Sequence, residues 1–309
     1  MISGLLLIDK PAGLTSFEVV RRVRRVLRVK KAGHLGTLDP FATGLLPLAL
    51  GEATKLAQFL LDESKEYLAT LKLGEETDTH DLTGRVTQTW DYLPSAAEIR
   101  RAAARFEGEI EQVPPLFSAV HHQGERLYKL ARRGEQVEAA PRTVTIHRLE
   151  IQKIALPLVI LRLECSKGTY VRALARDLGR ALGCGAHLTG LTRLAVGPFR
   201  LEEAVTLEDI GKIKDNEAIL PRLIPLAQCL PRFPAVPVDG RQARRLAQGQ
   251  ALPWPGNSLA EGEKVRILTD GELVAVAAVR PAKTGRVLAP LRVFGGCAPV
   301  SPKPEARGY

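Results

Sequence analysis

A single aspartate, Asp39, interrupts the apolar stretch KKAGHLGTLDPFATGLLPLALGEATK, residues 30–55, where Gly33, Gly36, Gly44 and Gly51 break up what would otherwise be core. No other feature constrains the fold as tightly. An ionised carboxylate among apolar residues needs a cation beside it or a raised pKa. Glycines at this density let a second stretch of backbone approach closely. Asp-Pro is ordinary turn chemistry, which is the bland reading of Asp39. The apolar surroundings favour a nucleophile or a general base instead.

The segments around it read clearly. GLLLIDKPAG predicts a short buried strand, ended by Pro11 and Gly13. TSFEVVRRVRRVLRVKKAG predicts a helix: Thr15 and Glu18 form a capping box, and Val19, Val20, Val23, Val26 and Leu27 recur at helical spacing. Its other face carries Arg21, Arg22, Arg24, Arg25, Arg28, Lys30 and Lys31 with no acid among them. The whole chain has 44 Lys+Arg against 34 Asp+Glu, a net charge of +10, which favours nucleic acid over an anionic membrane as partner. Further on, YLATLKLGEETDTHDLTGRVTQTW predicts two strands around a polar turn. SAAEIRRAAARFEGEI predicts a helix capped by Ser95 and Glu98 and ended by Gly108. TVTIHRLEIQKI and LPLVILRLECSKG predict strands, and GTYVRALARDLGRALG a helix.

At 309 residues the chain accommodates one large domain and one small one. We place the first at 1–232, with a polar, basic excursion at about 118–143 that would grip a partner. The proline-dense LIPLAQCLPRFPAVP reads as a linker. Short strands over 238–296 suit a small β-barrel, and 297–309 lacks core pattern and reads as a disordered tail. Cys165, Cys184, Cys229 and Cys297 lie far apart, as reduced thiols in a cytoplasmic protein would. The start has no basic n-region and only a five-residue apolar run, so it reads as no signal peptide.

A cation for Asp39 is available in CSKGTYVRALARDLG, where Arg172 falls in the first helical turn beside Tyr170. Arg176 and Arg180 look better suited to a solvated surface. Tyr67 is either a strand-edge aromatic or a stacking surface for a planar base. His34 has no second ligand at metal spacing, and its glycine neighbours would leave it accessible to a base or phosphate. Asp78 and Asp81 in ETDTHD lack EF-hand spacing. The glycines match neither a P-loop nor a dinucleotide fingerprint.

GHLGTLDPFATGLLPLALGEATK resembles the catalytic motif of the bacterial tRNA pseudouridine-55 synthases, the TruB family. The resemblance extends through LLLIDKPAGLTS, KEYLATLKLGEETDTHD, PPLFSAVHHQGERLYKLAR, CSKGTYVRALARDLG and GAHLTGLTRLAVGPF, nearly all of residues 1–200. The last sixty residues resemble a PUA domain more weakly. The resemblance implies an α+β pseudouridine synthase core around a largely antiparallel mixed sheet, plus a PUA-like β-barrel. It implies isomerisation of one T-loop uridine of tRNA, with no cofactor or metal, no guide RNA, no membrane, and a monomer by default.

Residue by residue, it makes Asp39 the catalytic aspartate and Arg172 its partner. Tyr67 becomes the base-stacking tyrosine, Leu191 a pocket-lining residue and Tyr170 a substrate contact. His34 would fill the stack that the flipped nucleotide leaves, and Lys10 with Pro11 would support the site from a turn. Two alternatives stay open: a guide-RNA-dependent synthase of the archaeal and eukaryotic type, and an RNA chaperone that folds tRNA.

Overall fold

The computed structural model describes residues 2–115, 121–122, 125–126, 133, 140–213, 215–256, 258–283 and 285–295. Most of the excursion expected at 118–143, and all of the tail at 297–309, lie outside these residues.

In chain order the first part contributes β1 (Gly4–Lys10), α1 (Ser16–Leu27), β2 (Ala32–His34), β3 (Thr43–Leu50), α2 (Ala57–Leu60) and β4 (Lys65–Leu73). Then come β5 (Glu75–Thr77), β6 (Val86–Thr89), α3 (Ala96–Ala104), β7 (Gly108–Gln112), and the two-residue strands β8 (His121–His122) and β9 (Glu125–Arg126). β10 (Arg142–Ala155), β11 (Leu158–Cys165), α4 (Val171–Ala181), β12 (Ala186–Val196), β13 (Phe199–Arg200), β14 (Val205–Thr206), the short helix α5 (Leu207–Gly211) and β15 (Leu223–Ile224) follow. Among the described residues the main sheet has eleven strands: eight follow the path β14-β1-β3-β12-β4-β11-β10-β7, and β2, β13 and β15 pair with β3, β12 and β1 beside it. It is largely antiparallel, and the pairs β12–β3 and β1–β14 are parallel.

The pleat explains the sequence of β1. Leu6 and Ile8 enter one apolar cluster with Val19, Val23 and Leu27 of α1. Leu5 and Leu7 point the other way, into a second cluster with Leu35, Leu45 and Leu56. A strand covered on both faces carries an unbroken apolar run. β4 alternates instead: Lys65, Tyr67, Ala69, Leu71 and Leu73 are buried, and Leu68 is exposed. The capping boxes at Thr15–Glu18 and Ser95–Glu98 are both formed.

The structure departs from the sequence reading in several places. Helix α1 stops at Leu27, where Arg28 adopts a left-handed conformation (φ +51°), so Arg28, Lys30 and Lys31 lie beyond it. The stretch read as two strands forms three, because the chain breaks at Gly74 and the hairpin β5–β6 leaves the main sheet. Gly108 opens β7 rather than ending α3, which closes on Arg105. The proline-dense segment is packed, not loose: Cys229 and Leu230 are buried in the second cluster.

Beyond it lie β16 (Ala235–Pro237), a helix at Gly240–Ala247, β17 (Leu252–Trp254), β18 (Lys264–Thr269), β19 (Glu272–Ala282) and β20 (Gly285–Val293). These strands form a curled five-stranded sheet, β16-β18-β19-β20-β17. It is a half-barrel, since its edge strands do not pair with each other. Its Leu273, Val276 and Phe294 join the second cluster against Leu5 and Leu7. Lys55 Nζ donates to Val293 O at 3.1 Å, and Gly295 N donates to Glu52 Oε2 at 2.9 Å. Among the described residues no helix is long and apolar enough to cross a membrane.

Candidate active site

Asp39 sits in the loop between β2 and β3, and side chains from three directions hold that loop. Ser16, at the start of α1, accepts from Leu38 N (2.9 Å) and donates to Leu38 O (3.2 Å). Lys10, fully buried at the end of β1, donates from Nζ to Pro11 O (2.9 Å) and Pro40 O (3.2 Å), and Gly13 N also donates to Pro40 O (2.8 Å). Burial lowers the Lys10 pKa to about 8. Arg193 of β12, 1% exposed, donates from Nε to Leu45 O (2.7 Å), from Nη2 to Gly36 O (3.1 Å) and from Nη1 to Thr37 O (3.4 Å). The residues on both sides of Asp39 are thus hydrogen-bonded to buried groups, which limits how far its carboxylate can wander.

Gly44 makes that arrangement possible. β3 and β12 run parallel with Gly44 beside Arg193, and Gly44 has φ +95°. A Cβ there would stand 2.4 Å from Arg193 O and 2.9 Å from Arg193 N. Both the dihedral and the contact with backbone exclude a side chain.

The cation for Asp39 is Arg172, in the first turn of α4. Its Nε lies 2.9 Å from Asp39 Oδ2 and its Nη2 donates to Asp39 Oδ1 at 3.1 Å, so the pair combines a close ion-pair contact with a hydrogen bond. Nη1 donates to Thr79 O at 3.2 Å and lies 3.5 Å from Asp81 Oδ2. The Arg172 side chain is 5% exposed and that of Asp39 is 32% exposed. Burial pushes the Asp39 pKa upward, Arg172 pulls it back, and the nearby Asp81 charge raises it further. The net direction is up.

Asp81 is the residue whose role the sequence concealed. It is buried, and its Oδ1 accepts from Thr79 Oγ1 (2.8 Å), Thr83 N (2.9 Å) and Thr83 Oγ1 (2.5 Å). Those bonds leave Oδ2 facing Arg172. Asp78 faces Arg85 instead. Among the described residues no three His, Cys, Asp or Glu side chains converge as metal ligands would.

A cavity of about 620 Å³ opens over Asp39, and His34, Tyr67, Tyr170, Arg172, Leu191 and Arg193 are among the residues that line it. Tyr67 pairs across the ladder with Arg193, is 8% exposed, and is kept protonated by burial. Leu191, also 8% exposed, lies two residues before Arg193 on the same face of β12. Tyr170 is the N-cap of α4. Gln112 fixes its backbone, accepting from Tyr170 N at 3.0 Å and donating to Tyr170 O at 3.3 Å. His34 is half-buried on β2, less open than its glycine neighbours suggested, and burial lowers its pKa, so the ring is neutral at pH 7. Lys10 and Pro11 stand outside the cavity, Lys10 behind the loop and Pro11 exposed.

Sequence reasoning missed Arg193, Asp81, Ser16 and Gln112. Arg193 had a signal: strand alternation puts it on the face of Leu191. Arg176 was misjudged. It is 9% exposed, and its Nε donates to Asp177 Oδ1 at 2.7 Å; Arg180 is the solvated one, paired with Glu76.

Residues 24–171 match the model described as TruB family pseudouridylate synthase (N terminal domain), and residues 172–230 match the tRNA pseudouridylate synthase B C-terminal domain. The tRNA pseudouridine synthase B of Burkholderia pseudomallei (strain 668) is 49% identical over 281 residues, covering 89% of this chain and 93% of that protein. That of Geobacter sulfurreducens is 45% identical over 284 residues, covering 89% and 93%. A solved Cbf5-Nop10-Gar1 complex superposes with a TM-score of 0.74 at 30% identity, over 94% of this chain and 84% of that one. An H/ACA RNP bound to a substrate RNA containing 2'-deoxyuridine gives 0.72 at 28% identity, over 95% and 85%.

Proposed function

The chain belongs to the TruB family of pseudouridine synthases and is an isomerase; from that premise we propose that it converts the T-loop uridine at position 55 of tRNA to pseudouridine, with Asp39 as the catalytic group. The observation that carries this reading is the Arg172–Asp39 pair at the floor of a cavity also lined by Tyr67 and Leu191.

A uridine held in an RNA loop must leave its stack before its sugar can be reached, at a cost of a few kcal/mol. Tyr67 offers the base a stacking face, and His34 is placed on the cavity wall to fill the space the nucleotide leaves. Base–aromatic stacking contributes about 1–3 kcal/mol per base and offsets the flip. The N-glycosidic bond then breaks, the uracil turns within the cavity, a new C–C bond forms between its C5 and C1′, and C5 loses its proton while N1 gains one, so the product is an isomer. Asp39 serves either by attacking C1′ or by removing the C2′ proton to give a glycal. Both routes need it ionised. Arg172 favours that state and fixes the orientation of the carboxylate. Leu191 and Leu38 wall the cavity with apolar surface, which keeps water from capturing the activated sugar.

Arginines on α1 supply phosphate contacts, so binding should depend steeply on salt and read RNA shape more than sequence. The curled C-terminal sheet acts as a PUA-like RNA-binding unit. The chain works without a guide RNA, a reading supported by the 45–49% identity to proteins named tRNA pseudouridine synthase B against 28–30% to chains solved in Cbf5 and H/ACA complexes.

The deciding experiment offers an unmodified tRNA transcript to purified wild type and Asp39→Asn, with no guide RNA or metal. Pseudouridine at the T-loop position with wild type alone, and near-normal tRNA binding by both, is the expected result. Product from Asp39→Asn, or none from wild type while tRNA stays bound, would refute it. In the latter case a guided enzyme or an RNA chaperone takes its place.

A further inference from the structure

Phe17 is the most exposed of the large apolar side chains among the described residues, at 68%. It stands in the first turn of α1, next to Ser16, which fastens the Asp39 loop. It also lines the mouth of the cavity that holds Asp39 and Tyr67. An aromatic ring left in water at the edge of a catalytic cavity gains nothing for the fold, because the core of α1 is already made by Val19, Val20, Val23 and Leu27.

Its register is the second observation. Phe17, Arg21 and Arg24 follow one another at intervals of four and three residues, one stripe along the helix, and Arg28 follows just past its end. All four are exposed, and among the described residues no carboxylate pairs with these arginines within 4 Å. The stripe starts in aromatic surface at the cavity and continues in positive charge away from it. Aromatic rings joined to a cationic track are how proteins hold unpaired nucleic acid: cations follow the phosphates and the ring takes a base.

We infer that Phe17 stacks on an unpaired base of the RNA beside the reacting nucleotide, steering the strand from the arginine stripe of α1 into the cavity. The inference rests on the reading of the cavity as an RNA site. It does not depend on which uridine reacts or on the route taken by Asp39. Phe17 is a substrate-positioning residue, and Tyr67 remains the platform for the reacting base.

The test measures Kd for an unmodified tRNA transcript across a series of salt concentrations, in an Asp39→Asn background so that no turnover intervenes. Phe17→Ala should weaken binding about tenfold while leaving the slope of log K against log salt unchanged, because stacking releases no counterions. Phe17→Trp should restore affinity and Phe17→Leu should not. Arg21→Ala should instead reduce the slope by about one. In turnover with the Asp39 enzyme, Phe17→Ala should raise KM about tenfold with kcat unchanged. Since the side chain is exposed, none of these variants threatens folding. Affinity within twofold of the parent, or equal rescue by Leu and Trp, would overturn the inference. Absence of pseudouridine from wild type, with Phe17→Ala still weakening RNA binding, would remove the proposed reaction and leave this contact standing.

Discussion

Arg172 reaches Asp39 through two nitrogens, Nε at 2.9 Å and Nη2 at 3.1 Å, while its third nitrogen faces Asp81 at 3.5 Å. One guanidinium thus serves two carboxylates, and the Asp81 charge raises the proton affinity of Asp39. Asp81 is held by Thr79 and Thr83 and therefore cannot swing away to relieve the repulsion.

The first prediction concerns pH. The role proposed for Asp39 requires it ionised, and its pKa is raised by burial and by Asp81 against the pull of Arg172. Activity should therefore fall as pH drops through a value above the ordinary aspartate figure of about 3.9. Asp81→Asn removes a charge that raises this pKa and should move the acid limb of kcat to lower pH. Arg172→Gln removes the charge that lowers it and should move the limb to higher pH. Profiles from single-turnover assays that shift the same way in both variants would contradict the arrangement.

Gly44 gives a stability prediction. Gly44→Ala forces a Cβ into Arg193 backbone at a φ that L-residues avoid, and should cost about 3 kcal/mol. Gly13→Ala has a similar φ, +83°, but meets nothing within 4 Å, and should cost only about 1 kcal/mol. Urea unfolding midpoints of the two variants test the contrast; equal losses would mean that close approach of β12 is not what Gly44 permits.

His80 links the site loop to acid stability. It sits at φ +60°, faces Arg172, Arg176, Arg180 and Glu76, and burial lowers its pKa to about 4. Between pH 6.5 and 4 the unfolded chain binds a proton that the folded chain does not, so stability contributed above that window is lost as pH falls through it. The difference is at most roughly 3 kcal/mol. Asn tolerates the left-handed backbone and does not titrate. His80→Asn should accordingly flatten the decline in unfolding free energy between pH 6.5 and 4, and a wild-type slope in that variant would assign the decline elsewhere.

Arg24 and Arg25 test the binding face. The double Ala variant should reduce the slope of log K against log salt by about two, with kcat at saturating tRNA unchanged. Filter-binding titrations over a salt series would read this, and an unaltered slope would remove α1 from the RNA footprint.

Much of this was legible in the sequence, for physical reasons that differ by element. β1 and α1 could be read because each depends on local pattern: an unbroken apolar run, a capping box, valines at helical spacing. The cavity residues His34, Asp39, Tyr67, Tyr170, Arg172 and Leu191 were found through motifs, although Asp39 and Arg172 are 133 positions apart. Asp81 escaped because its neighbours in sequence, Asp78 and His80, made it resemble a polar loop, and its partner is on another element. Arg193 escaped because its acceptors are backbone carbonyls, which carry no residue signature. The end of α1 was misplaced since Arg28 is as good a helix former as Arg25, and only the left-handed turn at Arg28 reveals the stop.

β1 serves two cores at once, Leu6 and Ile8 on one side and Leu5 and Leu7 on the other. The second is sealed by Leu273, Val276 and Phe294 of the C-terminal sheet. A chain cut short before Ala235 would bare a leucine-rich face directly behind the strand that bears Lys10. Removing the C-terminal sheet from this chain is therefore a resurfacing problem: the remaining part needs polar replacements at Leu5, Leu7 and their neighbours before it can stay dispersed in water.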